Sequence, residues 1–206
     1  MSEAPLRTLR SPYRQIRIVA IGASAGGPNA LNVVFCSLPK DLPVPILCVQ
    51  HMGAGFLRDF IDWLSLDCAL KIKIAERGEL PTPGTIYFPE EGSHLTLDSL
   101  GRLAHSLDEP FHGHRPSVTV TFKAVAASFG DSAVGILLTG MGTDGADGLK
   151  ALSEAGALTI AQDEQTSVVF GMPGSAIAMG AAQWVLPLHR IAEALVSQIG
   201  AIGARS

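Results

Sequence analysis

The chain has 206 residues, 47% of them hydrophobic, and its 15 Lys and Arg against 19 Asp and Glu give a formal net charge of −4. This length and hydrophobic fraction predict one core of ordinary size rather than two full domains. The slight negative charge and the scattered cations argue against binding to nucleic acid or to an anionic membrane. Because no apolar run approaches the roughly 18 residues of a membrane span and no signal peptide is recognisable, we expect no membrane insertion and a cytoplasmic location.

Residues 1–14 are polar and are expected to form a flexible leader, with the folded domain at residues 15–206. The three cysteines, Cys36, Cys48 and Cys68, are odd in number, lie in apolar patterns and show no Cys-x-x-Cys spacing. This usage favours buried thiols in a reducing compartment over a disulfide framework.

The first half of the chain alternates between strand and helix patterns. An apolar run at residues 16–21 predicts a buried strand, and apolar residues spaced three and four apart then predict a helix that Pro28 opens. A strand at residues 45–50 and a helical pattern at 57–64 repeat this order. Strict alternation at residues 70–74 predicts a half-buried strand.

The stretch from residue 85 to residue 105 contains short alternating runs broken at residues 98–101, which predicts a small antiparallel hairpin insertion. Strands and helices alternate again after it. The predicted elements are a helix after Pro116, a strand at 133–139, a helix at 146–155, a strand at 157–161, a helix after Pro173, a strand at 184–186 and a last helix from Leu188 to Ile202.

This order predicts an α/β fold: a doubly wound, mostly parallel sheet with helices on both faces and a small antiparallel hairpin insertion. In such sheets ligands bind beyond the carboxyl ends of the strands. The residues there include Ser24 after the first strand, His51 after the second, and Asp144 in the glycine-rich loop after the strand at 133–139. A serine nucleophile, an imidazole base and a carboxylate that orients the imidazole form a hydrolytic triad.

Each of these residues also has a simpler interpretation. Ser24 could only cap the following helix, His51 could be structural, and Asp144 could serve the turn. The same loop offers Asp147 as an alternative partner for His51, although Asp147 falls where the next helix has begun. The catalytic interpretation is favoured because Ser24, His51 and Asp144 all follow strand ends.

Two other motif interpretations fit less well. Residues 22–26 match the Gly-x-Ser-x-Gly elbow of α/β-hydrolases, but there the order along the chain is Ser, Asp, His, whereas here it is Ser, His, Asp. A dinucleotide site would need a glycine at position 24 and an acidic residue at the end of the second strand, where Gln50 and His51 stand. No cofactor is expected.

The remaining histidines give no zinc-like spacing. His112 and His114 are the one close pair, and His94 and His105 flank the hairpin, but no cysteine or second carboxylate cluster falls at zinc-ligand spacing. We expect solvated loop histidines and no metal.

Six segments, IGASAGG, VQHM, HRPSV, ILLTGMGTDGADGL, TIAQDE and VVFGMPGSAI, occur in this order. They resemble the catalytic domain of the chemotaxis-receptor methylesterase family (CheB), over about residues 16–196. The resemblance implies the same doubly wound fold and assigns the family's serine, histidine and aspartate to Ser24, His51 and Asp144.

The resemblance also implies an oxyanion donor at the main chain of Met141 and a substrate-positioning role for Arg115; a solvated cation flanking a helix is an equally good interpretation of Arg115. Ala25, next to the nucleophile, is assigned to the same oxyanion and positioning region. Some family members have a threonine there, and its hydroxyl is absent here.

The implied activity is removal of methyl esters from glutamate side chains of methyl-accepting chemotaxis receptors, with possible deamidation of receptor glutamines. The partners implied are these or related signalling receptors and a response regulator or kinase. Family members typically also carry an N-terminal receiver domain, which this chain is expected to lack. The alternative is a non-catalytic receptor-binding module, for which a complete triad is unnecessary.

Overall fold

The computed structural model describes residues 15–200, so the expected leader at residues 1–14 lies outside the described part of the chain. The strands are β1 (Ile18–Ala23), β2 (Ile46–Gln50), β3 (Lys71–Ile74), β4 (Thr85–Phe88), β5 (His94–Leu97), β6 (Leu103–Ser106), β7 (Ala133–Leu137), β8 (Leu158–Gln162) and β9 (Trp184–Leu186). The helices are α1 (Gly27–Cys36), α2 (Leu57–Ser65), α3 (Val118–Phe129), α4 (Ala146–Glu154), α5 (Met172–Ala178) and α6 (Leu188–Gly200).

Seven strands form one parallel sheet in the order β3-β4-β2-β1-β7-β8-β9. From β1 the chain passes to β2 and then to the edge strand β3, returns to place β4 between β2 and β3, and crosses to the other side of β1 for β7 to β9. The order therefore reverses at β1, and the carboxyl end of β1 is the place where this architecture binds ligands. The predicted doubly wound fold is confirmed.

The two faces of the sheet carry separate hydrophobic clusters because successive strand residues point to opposite sides. Val19 and Ile21 of β1 pack with α1, α2 and α6, whereas Ile18 and Ala20 pack with α3, α4 and α5. Both sets are fully buried. Such burial explains why β1 is a continuous apolar run rather than an alternating one.

The predicted hairpin is confirmed at β5 and β6, where His94 pairs with Ser106 in antiparallel register. It is smaller than expected, because β4 joins the main sheet, parallel to β2 and β3. Every residue of β4 is buried. A short strand pattern in the sequence does not show which distant strands it pairs with.

One prediction about the cysteines is wrong. Cys48 is buried in β2, as expected, but Cys36 is exposed and Cys68 is half-buried. In α1 the buried residues Leu31, Val34 and Phe35 lie on one face, and Cys36 lies on the opposite one.

Candidate active site

Three adjacent strands end side by side and bring their following residues together. Ala23 of β1 pairs with Gln50 of β2, so Ser24 and His51 are the next residues on neighbouring strands, which lie about 4.8 Å apart. The His51 N–H donates to the Ala23 carbonyl at 3.0 Å, and the Ser24 N–H donates to the carbonyl of Thr139, beyond β7, at 3.0 Å. Ser24 therefore lies between the chain segments that carry His51 and Asp144.

A tight turn carries Ser24 from β1 into α1. Gly26 has a φ of 79°, which favours glycine, and the Gly27 N–H closes the turn on the Ser24 carbonyl at 2.8 Å. Gly140 of the β7–α4 loop approaches so closely that a Cβ there would lie 2.8 Å from the Ser24 Cβ. The loop that bears Met141 and Asp144 thus packs directly on the half-buried Ser24.

Gln50 ties the first two strand ends together. Its Nε2 donates to the Ser24 carbonyl at 2.9 Å and to the His51 carbonyl at 2.7 Å. This positioning role of Gln50 was not predicted from the sequence. Its position before His51, at the end of a buried strand, was the available signal for this positioning role.

Asp144 is 2% exposed and receives hydrogen bonds from both the chain around it and α3. Its Oδ2 accepts from Val118 N at 2.7 Å and lies 2.9 Å from His51 Nε2. Its Oδ1 accepts from Ser117 Oγ at 2.8 Å, Thr119 N at 3.1 Å and Gly145 N at 2.9 Å. These hydrogen bonds replace the ones that the carboxylate would make to water if it were exposed.

The same surroundings determine the charge of Asp144. Burial by itself raises the pKa of the carboxyl, but hydrogen bonds from His51, Thr119 and Ser117 outweigh burial and hold the pKa of Asp144 well below its usual value. Asp144 is therefore ionised at neutral pH and acts only as an acceptor.

The charge of Asp144 determines the tautomer of His51. An ionised carboxylate needs a donor, so the Nε2 of neutral His51 carries the proton and Nδ1 carries the lone pair. Nδ1 is buried and has no hydrogen-bond partner among residues 15–200. The imidazole therefore has one nitrogen fixed by Asp144 and a free basic nitrogen.

The structure brings His51 and Asp144 into contact but contains no hydrogen bond between Ser24 and His51 Nδ1. Catalytic hydrogen bonds of this kind are often long in unliganded structures and shorten when substrate binds. Asp147, the alternative partner, lies in the first turn of α4, and the contact with His51 belongs to Asp144.

A second serine and histidine also contact the Asp144 region. Ser117 Oγ donates to Asp144, while the Ser117 N–H donates to His94 Nδ1 at 3.1 Å. Ser117 is fully buried, and its hydroxyl accepts from Val120 N as the N-cap of α3. Since its hydroxyl faces a carboxylate rather than an imidazole, Ser117 supports Asp144 and is not placed as a nucleophile.

The prediction of solvated loop histidines is wrong for most of them. His94 is 1% exposed, and both nitrogens of His105 lie 3.0 Å from a protein oxygen. The ring of half-buried His114 stacks on His51, and burial, followed by the nearby His51, lowers the pKa of His114. His112 is exposed. The segment between β6 and α3 folds over the site, which histidine spacing alone could not show.

The remaining predicted residues, Ala25, Met141 and Arg115, are all at least partly exposed. Met141 is 69% exposed, and among residues 15–200 the N–H groups of Met141 and Ala25 donate no hydrogen bond. Arg115 is exposed, and its Nη1 donates to the carbonyls of Leu107 at 3.0 Å and Asp108 at 3.2 Å. Arg115 also borders a cavity of about 150 Å³ beside Gln50 and Met52.

Residues 15–200 hold no group of three or more His, Cys, Asp or Glu side chains arranged to bind a metal ion. No helix in the same range is both long and apolar enough to cross a bilayer.

Comparison with known proteins gives consistent matches over this region. A family model described as CheB methylesterase matches residues 19–195. The solved structure of the Thermotoga maritima CheB methylesterase catalytic domain has a TM-score of 0.86 and 36% sequence identity, covering 89% of this chain and 99% of that one.

Two curated relatives are named protein-glutamate methylesterase/protein-glutamine glutaminase. The protein from Nitrosospira multiformis is 49% identical over 200 residues, 97% of this chain and 56% of that protein. The protein from Syntrophus aciditrophicus, whose name ends in the number 1, is 44% identical over 189 residues. These residues make up 92% of this chain and 54% of that protein. The chain spans about half the length of these relatives.

Proposed function

Since this chain belongs to the CheB methylesterase family, we propose that it hydrolyses glutamate methyl esters on chemotaxis receptors with Ser24 as nucleophile, His51 as base and Asp144 as the orienting acid. The observation that carries the proposal is the part-buried His51 Nε2 to Asp144 Oδ2 contact of 2.9 Å. Among residues 15–200 the Nδ1 of His51 has no hydrogen-bond partner, and Ser24 directly follows the neighbouring strand. A non-catalytic binding module has no use for an imidazole aligned by an ionised carboxylate.

In the first step, Ser24 Oγ attacks the ester carbonyl carbon and His51 Nδ1 takes the hydroxyl proton. Asp144 stabilises the resulting imidazolium through Nε2–H. The negative oxygen of the tetrahedral intermediate accepts hydrogen bonds from the N–H groups of Met141 and Ala25, each worth about 3 kcal/mol at such a position.

Collapse of this intermediate breaks the bond to the methoxy oxygen, which leaves as methanol with the proton from His51. A glutamyl ester of Ser24 remains. Water then attacks this ester while His51 takes its proton. The Ser24–acyl bond breaks as His51 returns that proton to Ser24 Oγ, which releases the free glutamate side chain and restores both residues. In this proposal Arg115, which is exposed and borders the cavity beside Gln50 and Met52, positions an acidic receptor segment.

The relatives from N. multiformis and S. aciditrophicus are also named as glutaminases, which favours a second activity. Deamidation of a glutamine would form the same glutamyl ester of Ser24, with ammonia as the leaving group in place of methanol. Both activities would then require the same three residues.

Methanol release from membranes that carry methylated chemoreceptor tests the proposal. The unmodified chain should release methanol, and His51→Gln should reduce the rate by about 10⁴-fold. The matched control is His189→Gln, at an exposed position in α6, which should leave the rate unchanged. An unmodified chain that releases no methanol, or an active His51→Gln variant, would contradict the proposal.

A further inference from the structure

Two of the three cysteines meet on the side of α1 that faces away from the sheet. Cys36 Sγ and Cys68 Sγ lie 2.8 Å apart although 32 positions separate them in the chain. Cys36 is exposed and Cys68 is half-buried. The proposed hydrolytic function uses neither residue.

Separate elements hold the two sulfur atoms. Cys36 is the last residue of α1, and its Sγ also lies 3.1 Å from Asn32 Oδ1. Cys68 lies in the connection from α2 to β3, where its N–H donates to the Leu64 carbonyl at 3.3 Å. Because a disulfide bond is about 2.05 Å long, the sulfurs need to approach by less than about 1 Å.

We propose that Cys36 and Cys68 form a reversible intramolecular disulfide when the chain meets a peroxide. The exposed Cys36 sulfur attacks a peroxide oxygen, which breaks the O–O bond, gives a sulfenic acid and releases one water with the Cys36 proton. Cys68 Sγ then attacks the Cys36 sulfur, the S–O bond breaks, and the hydroxyl leaves as a second water with the Cys68 proton. The two thiols lose two electrons, and hydrogen peroxide is reduced to two waters.

The surroundings suit these different roles. Burial, followed by the hydrogen bond with Cys36, raises the pKa of Cys68 to about 12. Cys68 therefore keeps its proton at neutral pH, so peroxide reacts first at the exposed Cys36. The Cys68 sulfur, held 2.8 Å away, then attacks the Cys36 sulfur as its proton passes to the leaving hydroxyl. Cys48 is fully buried in β2, and burial raises the pKa of its thiol well above its ordinary value. Because the Cys48 side chain is fully buried, peroxide cannot reach its sulfur, and Cys48 should stay reduced.

The disulfide would join the end of α1 to the α2–β3 connection. It would lower the conformational entropy of the unfolded chain and so stabilise the folded one. Ser24 precedes the opposite end of α1, and the 10 residues of this helix span about 15 Å. The disulfide should therefore raise thermal stability without reshaping the active site.

The test is treatment of the purified chain with hydrogen peroxide, followed by tryptic mass mapping without reductant. Cleavage after Lys40 and Arg58 places the three cysteines on separate peptides. We expect a link between the peptides of Cys36 and Cys68, a mass loss of about 2 Da and a Tm higher by about 5–10 °C. Dithiothreitol should reverse all three changes.

Cys36→Ser and Cys68→Ser are the matched variants, and neither should lose this mass or gain thermal stability. Three results would overturn the proposal: sulfinic acid on Cys36 with Cys68 still reduced, a disulfide between two chains, or a link that involves Cys48. Absence of any oxidation of Cys36 and Cys68 at peroxide levels that oxidise free cysteine would overturn it as well.

Discussion

His114 lies flat against His51, with ring centroids 4.1 Å apart and ring planes that differ by 5°. Burial, followed by the nearby His51, lowers the pKa of His114, so the covering ring is neutral at neutral pH. One face of the His51 imidazole is thereby closed to water, while Asp144 holds its Nε2 edge.

We expect His114→Ala to slow ester hydrolysis by up to about tenfold, because stacked rings contribute about 0.5–1.5 kcal/mol. His114→Phe should keep most of the rate, since a ring without a titratable group can still stack. The measurement is kcat for both variants beside His112→Ala, which removes an exposed neighbour. Equal loss in the Ala and Phe variants would show that the imidazole itself, rather than stacking, is required.

Asp144→Asn should lower turnover by about 10³- to 10⁴-fold, because an amide can stabilise the wrong tautomer of His51. Asp147→Asn removes a charge from the first turn of α4 and should cost at most about 1 kcal/mol of stability, with little change in rate. Both variants are assayed well below their Tm. If Asp147→Asn is the inactive one, the assignment of the acid is wrong.

Ser117→Ala should destabilise the fold by about 1–3 kcal/mol, because it removes the N-cap of α3 and a donor to Asp144. Turnover should fall by less than about tenfold if the variant is assayed while folded. Urea unfolding and kcat are measured beside Ser128→Ala, an exposed serine of the same helix. Complete loss of activity in a folded Ser117→Ala chain would make Ser117 a candidate nucleophile.

Asp144 should also make stability depend on pH. Since hydrogen bonds hold its folded pKa below the unfolded value of about 3.9, ionised Asp144 stabilises the fold fully at pH values above that value. This contribution is lost as the pH falls through the folded pKa. The unmodified chain and the Asp144→Asn variant differ in their free energy of unfolding, and this difference should therefore decrease as the pH falls below about 4.

Urea unfolding at a series of pH values between about 7 and 3 measures this difference, with Asp62→Asn at an exposed position of α2 as the control. The Asp62 difference should stay near zero throughout. A difference for Asp144 that is constant or grows toward low pH would contradict a carboxylate stabilised by its hydrogen bonds.

The predictable part of the site follows from strand order and periodicity. Ser24 and His51 could be placed together because each follows an apolar run, and parallel strands end at one edge of the sheet. The parallel pairing of β4 was missed, since a short buried run does not identify its partner strands. The surface position of Cys36 was missed because its neighbours in the sequence are apolar.

The supporting contacts of the site could not be predicted, because they join segments that are distant in the chain. The donors from Ser117, Val118 and Thr119 reach Asp144 from the start of α3. The stacking of His114 depends on how the segment before α3 folds back over β2. Neither hydrophobic periodicity nor residue spacing contains this information.

Comparison of Ser24→Ala with Ser99→Ala tests the central claim most directly. Ser99 lies exposed in the hairpin turn, so its loss should leave methanol release from methylated receptor membranes unchanged. Ser24→Ala should lower the rate by about 10⁴-fold or more while Tm stays within a few degrees, because the variant lacks the hydroxyl that forms the acyl ester. Methanol release by Ser24→Ala at a rate close to that of the Ser99→Ala chain would contradict the account.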